Sequence, residues 1–225
     1  MAQYDSKFCL KWIWALFFFF ASLFLLSLPF RPYPLAPLVK SIPVFCLLSI
    51  ALIRVSGVRK VLFAGALLFS GIGDILLEIG GKRMFLYGLG TFMAAHLFYI
   101  AAFFRRPLQK GAGRLSAAGM IAAFGVGMGF VLLPNLAGMA TPIAGYLFII
   151  CAMGIAAALG RDNPGIVLAG ACIFILSDAI IAVNRFLAPV PASSFWVMTT
   201  YYAAQSLIVA GVAKIGPPGP VATKP

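Results

Sequence analysis

The chain has five acidic residues in 225, and three of them lie where acids are costly. Asp74, Glu78 and Asp178 fall inside apolar runs, whereas Asp5 and Asp162 lie outside them. A carboxylate in hydrocarbon is expensive, so such residues usually face a cavity and serve function. Gly73-Asp74 is followed by Ile75-Leu76-Leu77, and Ser177-Asp178 by Ala179-Ile180-Ile181, so the two aspartates share a local pattern. Two carboxyls at one level of a poorly solvated cavity repel, which favours one holding its proton while the other stays ionised. Such a pair suits general acid catalysis with stabilisation of a developing cation. The plainer reading is a structural hydrogen bond or ion pair, for instance Glu78 with Lys82 at i,i+4.

Other polar groups cluster nearby in sequence. His96 lies near the middle of the fourth apolar run, with Tyr99 three residues later on the same face. Asn184 and Arg185 close the seventh run, and Tyr201, Tyr202 and Gln205 sit near the start of the eighth. A lone histidine in such a place is more often structural than catalytic. One histidine, with no cysteine or carboxylate cluster at ligand spacing, argues against zinc, and nothing implies a cofactor. The absence of a G-x-S-x-G elbow argues against a serine lipase.

The elements that must position these groups are membrane spans. Hydrophobic residues make up 63% of the chain and charged ones 10%, with a mean hydropathy of +1.05. A soluble domain needs far more polar surface than this. The apolar runs are also long enough to cross a bilayer, which takes about 20 residues each. Breaks at charged residues, glycines and prolines give eight spans, at about 11–28, 35–53, 60–79, 84–104, 116–133, 141–159, 165–187 and 194–213. The expected fold is therefore an all-α polytopic bundle of eight transmembrane helices forming a single domain over 1–225. The first run, Trp12 to Leu28, is too long for a signal-peptide core and lacks a clear A-x-A site, so it reads as a retained span. The four cysteines lie far apart and read as free thiols.

The net charge of +12 comes from cations scattered through short loops, which suits membrane orientation better than nucleic-acid binding. Eight spans put both termini on one side. That side collects Lys7, Lys11, Arg54, Arg59, Lys60, Arg105, Arg106, Lys110, Arg114, Arg161, Lys214 and Lys224. Arg31, Lys40, Lys82, Arg83 and Arg185 fall on the other side, so both termini are expected to be cytoplasmic.

The run Ser70-Gly71-Ile72-Gly73-Asp74, Phe85 to Gly90, Ala95-His96-Leu97-Phe98-Tyr99, and Leu176-Ser177-Asp178-Ala179 with Asn184-Arg185 resembles the YhhN-like eight-span membrane proteins. The segment from Leu38 to Cys46 resembles the entry to the second span in the animal members. Those animal members are lysoplasmalogenases of the endoplasmic reticulum membrane. The resemblance implies hydrolysis of the vinyl ether of a lysophospholipid, releasing a fatty aldehyde and glycerophosphoethanolamine or glycerophosphocholine. It places the family's paired aspartates at Asp74 and Asp178.

That chemistry fits the residues. Protonation of the vinyl β carbon makes an oxocarbenium ion, water captures it, and the hemiacetal collapses to aldehyde and alcohol. A carboxylic acid, a nearby carboxylate and a positioned water suffice, without metal or nucleophilic serine. Asp74 and Asp178 are the expected catalytic pair. Around them, His96, Tyr99, Asn184, Arg185, Lys82, Glu78 and Tyr202 are the expected substrate contacts, with Arg185 or Lys82 pairing with the phosphate. The expected partners are the lysophospholipid and the bilayer, with no nucleic acid, and a homodimer stays open. Two other classes also stay open. Paired intramembrane carboxylates serve proton-coupled transporters, although matching Gly/Pro-broken helices are absent. A non-catalytic lipid-binding scaffold would leave the acids unexplained.

Overall fold

A computed structural model of the chain describes residues 2–109, 111–136, 138–162 and 164–213, with side chains from Phe8 onward except that of Pro164. Lys110, Asn163, Lys214 and Lys224 lie outside the described residues, as do the side chains of Asp5 and Lys7. The described residues form eight α-helices and no strand. They are α1 (Ala2–Ser27), α2 (Ala36–Arg54), α3 (Gly57–Ile79), α4 (Lys82–Phe104), α5 (Ala112–Leu132), α6 (Ala140–Leu159), α7 (Pro164–Phe186) and α8 (Ser193–Ala213). Short 3-10 turns at Leu28–Phe30 and Leu133–Asn135 follow α1 and α5, each around a proline that cannot continue the helix.

The first seven helices are long and apolar enough to cross a membrane. α8 matches them at 21 residues but is less apolar, because it carries Thr199, Thr200, Tyr201, Tyr202 and Gln205. Large apolar side chains cover the outside of the bundle, among them Phe18, Phe19, Val61, Met120, Phe130 and Phe148. So much exposed hydrocarbon is at home only in lipid, and the chain is an integral membrane protein.

Six helices form a closed ring in the order α2, α3, α4, α6, α7, α8, with α8 returning to α2. α1 braces this ring from outside at α2 and α8, and α5 braces it at α6 and α7. The order repeats between the two halves of the chain: a peripheral first helix followed by three ring helices, the third and fourth packed most closely. Two glycines allow that closeness. A Cβ on Gly73 would stand 2.7 Å from the Phe92 ring of α4, and one on Gly170 would stand 2.9 Å from the Ala204 carbonyl of α8.

At the end that carries the N-terminus, loops are tied by a buried ion network. Asp162 after α6 pairs with Arg59 of α3 at 2.5 Å and lies 3.8 Å from Arg106 after α4. Arg114 of α5 donates to the carbonyls of Ala158 and Gly160. The opposite end is built differently, and it leads to the aspartates.

Candidate active site

Asp74 lies five residues before the end of α3 and Asp178 eight before the end of α7. At the helical rise this puts both roughly 8–12 Å inside the same end of the ring. Both line one chamber of about 90 Å³ whose walls come from α2, α3, α4, α5, α6, α7 and α8. The walls are apolar (Leu77, Phe92, Met128, Ile143 and Ile175 among them) except for Lys40, Asp74, Tyr146, Ser177, Asp178 and Tyr201. Two carboxyls therefore share a small space with little water to solvate them.

Each aspartate is held by helices from the other half of the chain or beside it. Tyr201 of α8 donates its hydroxyl to Oδ2 of Asp74 at 2.8 Å, and Asp74 is only 2% exposed. Tyr146 of α6 donates a hydrogen bond to Oδ2 of Asp178. His96 of α4 stands behind Tyr146, with Nε2 3.1 Å from its hydroxyl oxygen and 3.9 Å from Asp178. Because the Tyr146 proton goes to Asp178, His96 fits as the Nε2–H tautomer donating to Tyr146. Its Nδ1 is buried without a partner among the described residues, and its ring packs edge-on against Phe174. His96 thus orients Tyr146 from outside the chamber wall.

The polar chain behind Asp74 ends blindly. Gln205 approaches the Tyr201 hydroxyl at 3.5 Å and accepts from Tyr99 at 2.5 Å. Tyr99 is fully buried between Phe63 and Phe103. It supports Gln205 and does not line the chamber.

On its open side the chamber adjoins a polar vestibule of about 470 Å³, lined by Arg31, Lys40, Glu78, Asn184, Arg185, Ser193 and Ser194 with several apolar residues. Lys40, Leu77, Phe85, Ile181, Val197 and Met198 line both spaces. Glu78 pairs with Arg31 at 2.5 Å and approaches Lys40 at 3.4 Å, not with Lys82. The reason is local: Gly80 and Gly81 have φ of +79° and +85°, so α3 ends before Lys82, which belongs to α4 and is exposed. Arg185 lies 3.7 Å over the Phe85 ring at the mouth. Asn184 accepts from the Val190 backbone at 2.9 Å and fixes the α7–α8 loop. Tyr202 donates to the Lys40 carbonyl at 2.7 Å, tying α8 to the start of α2.

The structure thus brings Asp74 and Asp178 to one chamber and puts Glu78, Asn184 and Arg185 in its vestibule. His96, Tyr99 and Tyr202 stand one layer back. Groups with direct access that the sequence reading did not single out as site residues include Tyr146, Lys40 and Arg31, with Ser193 and Ser194 beside them. Lys40 offered a signal, as a cation one turn inside an apolar run.

Comparison with known proteins adds the lineage. The model of the YhhN family matches residues 35–212. The chain belongs to the YhhN family. It is 37% identical over 203 residues to lysoplasmalogenase TMEM86A of Bos taurus, covering 82% of this chain and 81% of the relative. Human lysoplasmalogenase TMEM86B is 38% identical over 174 residues, covering 77% of this chain and 73% of the relative. A lysoplasmalogenase of Mycobacterium bovis is 33% identical over 153 residues, covering 65% of this chain and 58% of the relative. No solved structure matches the chain significantly.

Proposed function

We propose that this YhhN family protein is a membrane hydrolase that cleaves the vinyl ether of lysoplasmalogen, with Asp74 and Asp178 as its catalytic pair. The observation that carries the proposal is the pair itself, two carboxyls lining one apolar chamber beneath a cationic vestibule. Relatives named lysoplasmalogenase over most of the chain support the substrate.

One aspartic acid delivers its proton to the β carbon of the vinyl ether as the double bond's electrons move toward it. The α carbon becomes an oxocarbenium ion, and the other carboxylate stabilises it across the chamber. A water adds to that carbon and gives up a proton, which restores the acid. The resulting hemiacetal collapses to a fatty aldehyde and a glycerophospho alcohol, so the net reaction consumes one water. Tyr146 and Tyr201 each hold one of the two carboxyls by a hydrogen bond, and the apolar walls seat the hydrocarbon chain. General acid catalysis of this kind contributes about 10²–10⁴-fold.

A proton-coupled carrier needs a polar route to both faces. The route from Asp74 toward the N-terminal end stops, among the described residues, at buried Tyr99, which favours the enzyme. The cation bias supports termini on the cytoplasmic face, and resemblance to the animal members supports the endoplasmic reticulum membrane.

The deciding experiment is turnover of 1-alkenyl-lysophosphoethanolamine in D₂O, trapping the aldehyde at once. The mechanism delivers one solvent deuterium to the carbon next to the aldehyde. Aldehyde without that deuterium excludes carbon protonation as the chemical step.

A further inference from the structure

The vestibule holds more positive charge than its acid can neutralise. Among the described residues, Arg31, Lys40 and Arg185 line it against Glu78 alone. Arg31 takes Oε1 of Glu78 at 2.5 Å, the distance of a strong charge-assisted hydrogen bond. Lys40 stands 3.4 Å from Oε2, and that oxygen is buried without a hydrogen-bond partner among the described residues. The Lys40 ammonium is therefore held near Glu78 by charge, with its N–H donors uncommitted to it. Arg185 rests on the Phe85 ring and has no acidic partner among the described residues. Lys40 also lines the catalytic chamber, and the Tyr202 hydroxyl pins its carbonyl at 2.7 Å.

We propose that the vestibule is a phosphate subsite in which Lys40 receives the phosphodiester oxygens of a lysophospholipid and Arg185 closes over them from α7. The proposal rests on the lysoplasmalogen reading and names the part of the molecule that recognises its headgroup. The order of groups agrees with it: phosphate on Lys40 in the vestibule, glycerol at the junction of vestibule and chamber, vinyl ether at the aspartates, hydrocarbon among the apolar walls. Charge agrees as well. Three cations and one carboxylate leave an excess that one phosphodiester reduces, whereas an added ammonium would raise it. The base therefore projects outward, and the protein reads the phosphate more than the choline or ethanolamine it carries.

The test compares kcat/KM for 1-alkenyl-lysophosphoethanolamine with that for 1-alkenylglycerol, which lacks the phosphate. Wild-type protein is expected to favour the phospholipid by tenfold or more, as expected for lost hydrogen bonds to charge. Lys40→Gln should collapse that ratio through KM, and Arg185→Gln, at an exposed position that does not threaten folding, should reduce it by about threefold. A ratio unchanged in both variants overturns the subsite. Binding of the uncleavable 1-alkyl-lysophosphoethanolamine provides a readout free of catalysis. Phosphate-dependent binding lost in Lys40→Gln, with no aldehyde from any alkenyl lipid, keeps the subsite and removes the hydrolase. Competition by inorganic phosphate as strong as by the alkyl lipid would make this a soluble-anion site and overturn the lipid assignment.

Discussion

The Tyr201 hydroxyl on α8 donates to Asp74 on α3 at 2.8 Å, across the ring and between the two halves of the chain. His96 of α4 approaches Asp178 of α7 less directly, 3.9 Å away and behind the Tyr146 hydroxyl that donates to it. Asp74 is thus held directly, and Asp178 through Tyr146, by the fourth helix of the opposite half, and closing the ring is what assembles the site.

Tyr201→Phe should keep the ring packed between Phe92 and Phe174 while removing the donor. Hydrogen bonds to charged groups contribute about 1.5–3 kcal/mol, so kcat should fall about 10–100-fold with little change in melting temperature. Aldehyde release and thermal unfolding in detergent read the two separately. Full activity would remove Tyr201 from the site.

Tyr146 and His96 act on Asp178 as one unit, because His96 reaches the carboxylate through the Tyr146 hydroxyl. Tyr146→Phe and His96→Phe should each lower kcat, and the double variant should be little worse than Tyr146→Phe alone. Residues in one hydrogen-bond network couple by about 0.5–3 kcal/mol. Strict additivity would mean that His96 acts on its own.

The bundle itself was readable because charge, glycine and proline punctuate runs of bilayer length. Asp74 and Asp178 were readable because an acid in such a run has few structural uses. Their partners were not. Which tyrosine meets which aspartate depends on the order of helices around the ring, and Tyr146 gives no sign of its role in the apolar sequence of α6. Glu78 shows the same limit at closer range. Its i,i+4 spacing to Lys82 suggests a pair, but the two glycines between them end α3, and Arg31 arrives from the α1–α2 loop instead.

Asp162 is as buried as Asp74 yet lies at the far end of the bundle, paired with Arg59 at 2.5 Å. Removing one partner of a buried pair costs about 3–5 kcal/mol. Asp162→Asn should therefore lower the melting temperature strongly, while the protein that remains folded keeps its kcat. Loss of kcat per folded molecule would assign this network a functional part.

Gly170→Ala tests the close packing of α7 on α8. The added Cβ would meet a backbone carbonyl that cannot rotate away. Overpacking of this kind costs about 1–3 kcal/mol, and here it would also shift Tyr201 relative to Asp74, so stability and activity should fall together. Unchanged values in both assays would show that the two helices slide freely.

The central claim is that Asp74 and Asp178 together cleave a vinyl ether. Its most direct test is aldehyde release from 1-alkenyl-lysophosphoethanolamine by purified wild-type protein beside Asp74→Asn and Asp178→Asn, each with melting temperature measured. The expected result is activity in the wild type and a loss of about 100-fold or more in both folded variants. No aldehyde from folded wild type, or full activity in either variant, would contradict it.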